Sequence, residues 1–278
     1  MKTHPSPASG AALAATLATV LTTALAAGPL AANPYSENVA VRLLPGWQQA
    51  DGSHVAALEV SLAKGWKTYW RSPGDAGVPP VFSWSGSENV ASVDVIWPRP
   101  EVFYQNGMRS IGYSEKVVLP LRIQPSGSGA VHLDGELQIG ICSDICVPLD
   151  VALDGVVLSP AKRPVPAIAA ALAERPYSEK DAGVGRVTCE IRPEGRKTMV
   201  RAEIDIAPSG RNEVVVLETS DPTIWVSEAE VRREGGRLIA EAEMVPMRGG
   251  TLMFDRSGVR ITVLDGGRAV DIHGCTGR

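Results

Sequence analysis

Beyond its first thirty-odd residues the 278-residue chain has no apolar run of about 18 residues, the length a membrane-spanning helix needs. It also lacks a basic excess. Its 27 Lys and Arg stand against 31 Asp and Glu, a net charge of −4, and no block of like charge occurs. Nucleic acid and anionic membrane surfaces, which select basic faces, are therefore not expected partners. No Gly-x-Ser-x-Gly, His-Glu-x-x-His or phosphate-loop pattern is present, so hydrolase, zincin and nucleotide-binding readings lose their support. The four histidines (His4, His54, His132, His273) are scattered, and neither a metal site nor a small-molecule cofactor is expected. Aromatics make up only 5% of the chain, although six of them are Trp, and there are only four cysteines.

What is present is an ordinary globular composition, 44% apolar and 21% charged, so a folded core is expected. The 28 Gly and 21 Pro favour many turns over long helices. The N-terminus reads as a secretory signal over residues 1–32. Lys2 and His4 precede an Ala-rich apolar run from Ala11 to Ala27, and small residues follow as Ala24-Leu25-Ala26 and Leu30-Ala31-Ala32. Export to the periplasm and solubility of the mature chain are the expectations, with an uncleaved anchor as the alternative. Export would place the cysteines in an oxidising compartment.

From there the hydrophobic pattern has a period of two. Leu58, Val60 and Leu62 alternate with polar residues, as do Val117, Leu119, Leu121 and Ile123, and then Leu137, Ile139 and Ile141. Such alternation predicts antiparallel strands with one face buried and one wet. Pro73-Gly74, Ser126-Gly127-Ser128-Gly129 and Asp134-Gly135 read as turns between them, which suggests a sandwich or barrel over residues 33–158. The pattern breaks at Ser159–Pro164. Residues 159–182 read as a linker with one short helix from Val165 to Arg175, stopped by Pro176. Alternation resumes at Val200, Ala202, Ile204 and Ile206, and Gly235-Gly236 and Gly266-Gly267 suggest hairpins, so residues 183–278 read as a second, smaller β domain. Met244, Met247 and Met253 carry thioethers that bind Cu(I), but their strand-like setting reads as core packing.

The cysteines fall into two unlike pairs. Cys142 and Cys146 bracket Ser143, Asp144 and Ile145, a three-residue hairpin loop whose flanking positions face each other at about 5.5 Å between Cα atoms, within disulfide range. Cys189 and Cys275 lie near the two ends of the second domain, although four cysteines allow three pairings. Closing the 87-residue loop between them would stabilise by roughly 4.6 kcal/mol, and closing the five-residue loop by roughly 2. The long pair is the better staple. The short one, at a turn the hairpin already closes, is the better candidate for reversible exchange. A structural clip and a metal site are its alternatives. No Lys, Arg or His lies beside the short pair in sequence, and Asp144 inside it opposes thiolate formation, so the pair is expected to be the oxidised target of a partner's thiolate.

Gly65-Trp66-Lys67-Thr68-Tyr69-Trp70, Val102-Phe103-Tyr104, Val118-Leu119-Pro120-Leu121, Gly140-Ile141-Cys142 and Cys146-Val147-Pro148 occur in that order. Over about residues 38–158 this set resembles the N-terminal periplasmic domain of the DsbD family of disulfide reductases, the disulfide bond corrector domain. It is most similar to the Cys-x-x-x-Cys variant of the suppressor-of-copper-sensitivity relatives. The resemblance implies an immunoglobulin-like β-sandwich, hence an all-β chain with a second smaller β domain. It implies that Cys142 and Cys146 are the redox pair and that Cys146 forms the mixed disulfide. It further implies an aromatic cap of Phe103 and Tyr104 supported by Tyr69. The implied partners are thioredoxin-like periplasmic proteins and a membrane-embedded electron donor, with this chain as a standalone relay between them. The competing expectation is a redox-inert secreted binding module, or a copper-tolerance accessory protein, with structural disulfides only.

Overall fold

The computed structural model describes residues 1–2, 33–105, 107–195, 197–210, 212–249 and 254–277. The signal expected over residues 1–32 falls almost wholly outside them. Among the described residues no helix is long and apolar enough to cross a membrane. Asn33–Arg278 form one compact unit of two β-sandwiches in tandem.

The first sandwich is built from β1 (Val39–Gln48), β2 (His54–Leu62), β3 (Lys67–Tyr69), β4 (Val81–Ser83), β5 (Val90–Val95), β6 (Glu101–Gln105), β7 (Met108–Ser114), β8 (Lys116–Pro125), β9 (His132–Cys142) and β10 (Cys146–Val157). A four-stranded sheet, β1-β2-β8-β5, packs on a six-stranded sheet, β10-β9-β3-β7-β6, with β4 pairing on β9. Every pairing between these strands is antiparallel. The alternating residues meet between the sheets: Leu58, Leu121, Ile123, Leu137 and Ile141 are at most 1% exposed. The chain is all-β and the first sandwich is immunoglobulin-like.

Two readings of the strand pattern are corrected. Asp134-Gly135 is no turn but lies inside β9. A Cβ on Gly135 would stand 2.1 Å from the Ser83 carbonyl oxygen, so this glycine serves the close approach of β4 rather than a reversal. The outer face of β2 is not wet either. Val55 and Ala57 are buried beneath Ile168 of the linker helix α1 (Pro166–Ala173), with Trp47 and Leu172 packed around them.

After α1 come β11 (Tyr177–Ser178), a short helix α2 (Glu179–Ala182), β12 (Val187–Glu194), β13 (Lys197–Ile204), β14 (Val214–Thr219), β15 (Ile224–Val226), β16 (Glu230–Glu234), β17 (Arg237–Pro246), β18 (Val259–Leu264), β19 (Ala269–His273) and β20 (Thr276–Gly277). They form a four-stranded sheet, β11-β19-β18-β14, and a six-stranded sheet, β15-β17-β13-β12-β20, with β16 on β17. Gly235 and Gly236, both at positive φ (55° and 90°), make the two-residue turn between β16 and β17 that side-chain-bearing residues adopt only with strain.

β14 explains how the two sandwiches join. Its run Val214-Val215-Val216-Leu217 is buried on both faces. Val215 and Leu217 enter the core of the second sandwich, whereas Val214 and Val216, with Leu264 and Ala269, enter the core of the first. Period two thus sends alternate side chains of one sheet into two different cores. The methionines divide as well. Met244 is fully buried, Met247 is 64% exposed and so is not core, and Met253 lies outside the described residues.

Candidate functional site

The Cys142–Cys146 hairpin stands at one end of the six-stranded sheet of the first sandwich. Cys142 ends β9, Cys146 begins β10, and the two are directly opposite in register. They are joined by a disulfide, with Cα atoms 4.1 Å apart. This is the narrow spacing of an antiparallel ladder, not the wide 5.5 Å pairing expected from the loop length. The two cysteines differ in access: Cys142 is 4% exposed, whereas Cys146 lies on the surface.

Tyr69 supports the bond from β3. It is 3% exposed, and its hydroxyl reaches Cys146 Sγ at 3.2 Å and the Ala76 carbonyl at 3.4 Å. Room for the ring comes from two glycines. A Cβ on Gly140 would stand 2.9 Å from Tyr69 Cδ2, and one on Gly77 2.8 Å from Cδ1. Burial pushes the phenol above its ordinary pKa, so it remains a protonated donor through the neutral range. A donor aimed at a sulfur stabilises that sulfur as thiolate more than as thiol. Tyr69→Phe is accordingly expected to raise the pKa of reduced Cys146 by about 1–2 units, the worth of one hydrogen bond to a charged group. The pH dependence of Cys146 alkylation measures it.

β3 also supplies Lys67, directly opposite Cys142 across the β3–β9 ladder. Lys67 Nζ donates to Gln105 Oε1 at 3.1 Å and Ser110 Oγ at 3.3 Å and lies 5.1 Å from the centre of the Phe103 ring. Burial holds the ammonium below its ordinary pKa. Gln105 continues the contact, because its Nε2 donates to the Ser143 carbonyl at 3.0 Å and ties the β6–β7 hairpin to the loop between the cysteines. A small cavity of about 110 Å³ beside the disulfide is lined by Lys67, Tyr69, Ala76, Gln105, Met108 and the cysteines, among others.

The residues named from sequence are thus distributed unevenly. Tyr69 touches Cys146. Phe103 and Tyr104 border a wider groove of about 820 Å³ that Cys142 also lines, and Tyr104 is 68% exposed. Cys189 and Cys275 are disulfide-bonded to each other, with Cα atoms 5.7 Å apart, in the second sandwich. Sequence reasoning missed Lys67, Gln105 and Met108. The absence of a cation beside the cysteines held only along the chain, since Lys67 arrives from a strand 75 positions away. Alternation carried a signal: Lys67 shares a strand face with Tyr69, and Gln105 with Phe103.

Residues 40–157 match the family described as thiol:disulfide interchange protein DsbD, N-terminal. The resemblance drawn from the Trp-rich and cysteine motifs holds over that stretch. Among solved structures, the N-terminal periplasmic domain of ScsB from Proteus mirabilis shares the fold, with a TM-score of 0.64 and 24% identity, over 89% of this chain and 96% of that one. A protein of unknown function from Porphyromonas gingivalis W83 aligns over 85% of this chain and 99% of that one at 15% identity, with a TM-score of 0.22, too low to indicate a common fold. No curated protein matches the chain.

Proposed function

We propose that this chain is a periplasmic thiol–disulfide relay that works through Cys142 and Cys146, passing electrons from a membrane-embedded donor to thioredoxin-like proteins. The observation that carries the reading is the asymmetry of the hairpin pair. One sulfur belongs to an exposed residue and meets a tyrosine hydroxyl, and the other belongs to a buried residue at the end of a strand. The family match over residues 40–157 supports the same chemistry.

The chemistry proceeds through one mixed disulfide in either direction. To accept electrons, a donor thiolate attacks Cys146 Sγ, the Cys142–Cys146 bond breaks, and Cys142 leaves as thiolate. The donor's second thiolate then attacks the donor sulfur of the mixed disulfide, Cys146 is released reduced, and the donor holds the new disulfide. To give electrons up, the Cys146 thiolate attacks a partner's disulfide and expels one partner thiolate. Cys142 then attacks Cys146, the partner leaves as a dithiol, and the hairpin disulfide reforms. Two electrons move in each direction, and no cofactor takes part. Lys67, opposite Cys142, supplies positive charge on the side where the buried thiolate develops, and Tyr69 donates to Cys146.

Removing the resolving sulfur tests the reading. Cys142→Ala should accumulate a covalent complex through Cys146 with a thioredoxin-like periplasmic protein, resolved by reductant on a non-reducing gel. If no such complex forms and the wild-type pair stays oxidised in cells under thiol trapping, the hairpin bond is a clip and the chain is a redox-inert module.

A further inference from the structure

Arg71 and Arg109 carry ion pairs from the elements that hold the disulfide into the second sandwich, and Arg71 has a further, longer pairing with Asp271 at 4.0 Å. Arg71 lies two residues beyond Tyr69, and its Nε and Nη2 donate to the Glu218 carboxylate at 3.0 and 2.9 Å. Nη2 also reaches Thr262 Oγ1 at 3.0 Å, and the guanidinium lies 3.8 Å from the centre of the Trp70 ring. Arg109, between Met108 and Ser110 on β7, pairs with Glu228 at 3.1 Å. Each of the five charged side chains is less than a third exposed.

Between these anchors runs the 71–77 loop. Its Pro73 carbonyl accepts from the Ile111 amide at 2.9 Å, and a Cβ on Gly74 would stand 3.0 Å from Glu228 Oε1. The far end of the loop supplies the two groups that seat Tyr69: the Ala76 carbonyl, which accepts from its hydroxyl, and Gly77, which lies against its ring. Adhesion between the sandwiches is already provided by Val214, Val216, Leu264 and Ala269. Partly buried ion pairs add little adhesion but specify one geometry, and the Arg71–Glu218 pair is bidentate.

We infer that the second sandwich is a positioning element for the redox hairpin: through Arg71–Glu218 and Arg109–Glu228 it holds the 71–77 loop and the β6–β7 hairpin so that the Tyr69 hydroxyl meets Cys146. Glu218 and Glu228 are positioning residues that act through Tyr69. The inference rests on the reading above only in taking Cys146 as the reacting sulfur.

The test uses the full chain carrying Cys142→Ala, with the Cys189–Cys275 bond intact, and follows iodoacetamide alkylation of Cys146 against pH. Glu218→Gln and Glu228→Gln are each expected to raise the alkylation midpoint by roughly half a unit to one unit, a threefold to tenfold loss of thiolate at a fixed pH below it. In a Tyr69→Phe background neither should shift it further. Glu213→Gln breaks the Arg233–Glu213 pair elsewhere in the second sandwich and should lower the melting temperature without moving the midpoint. The inference is overturned if Tyr69→Phe moves the midpoint and both glutamate variants leave it unchanged, or if their shifts persist undiminished in Tyr69→Phe. The two ideas fail separately. A shifted midpoint without capture of a thioredoxin-like protein removes the relay and keeps the positioning role, and capture with an unmoved midpoint does the reverse.

Discussion

Replacing Cys146 by Ser is expected to reduce exchange with any thioredoxin-like partner to the background of solvent thiols, whereas replacing Cys142 by Ser should stop turnover but leave the first half-reaction intact. The asymmetry follows from access. Attack on a disulfide needs a sulfur that an incoming thiolate can approach in line with the bond being broken. Cys146 is exposed and Cys142 is 4% exposed, at the end of a strand paired on both sides. With Cys146 gone, the remaining thiol is buried and has lost the sulfur that Tyr69 addresses. With Cys142 gone, the Cys146 thiolate still attacks a partner, but the mixed disulfide lacks its intramolecular resolving thiol. Stopped-flow transfer to an oxidised, disulfide-bearing thioredoxin-like protein, together with mass spectrometry of trapped species, separates the cases. Equal loss of the first half-reaction in both variants would remove the basis for assigning attack to Cys146.

The second large effect concerns stability and belongs to the other pair. Removing Cys189 and Cys275 together (both to Ala) is expected to cost up to about 4.6 kcal/mol of unfolding free energy, the chain-entropy value for an 87-residue loop. Cys189 is fully buried on β12, and the two-residue edge strand β20 meets β12 at Thr188–Thr276 and Cys189–Gly277. The bond therefore ties the C-terminal end of the chain to the sheet where only two ladder positions hold it. Removing Cys142 and Cys146 together should cost well under the roughly 2 kcal/mol that a five-residue loop allows, because ten register pairs of β9 and β10 already close it. Urea unfolding of both double variants gives the comparison. A larger loss from the short pair than from the long one would reverse the assignment of staple and working bond.

The strands were legible because burial on one face writes itself into sequence. Val200, Ala202, Ile204 and Ile206 alternate, and all four are buried. The short helix after the Pro-rich linker and the Gly235-Gly236 turn were legible for a similar reason, since proline and paired glycines restrict the local backbone directly. Asp134-Gly135 misled because glycine serves two needs, a turn and a close approach, that look identical in a sequence. The double role of β14 was hidden as well, because Val214 to Leu217 is a short apolar run that does not say which core each face meets.

Sequence by itself determined an all-β chain and a cysteine hairpin with three residues in its loop, because these are written in periods of two and in spacings of a few residues. Only the tertiary structure decided which cysteine faces solvent, that Lys67 stands opposite Cys142, and that Arg71 and Arg109 reach into the second sandwich. The hydrogen bonds among those contacts join residues separated by as many as 191 positions. No local pattern encodes such a separation, because packing alone brings the partners together.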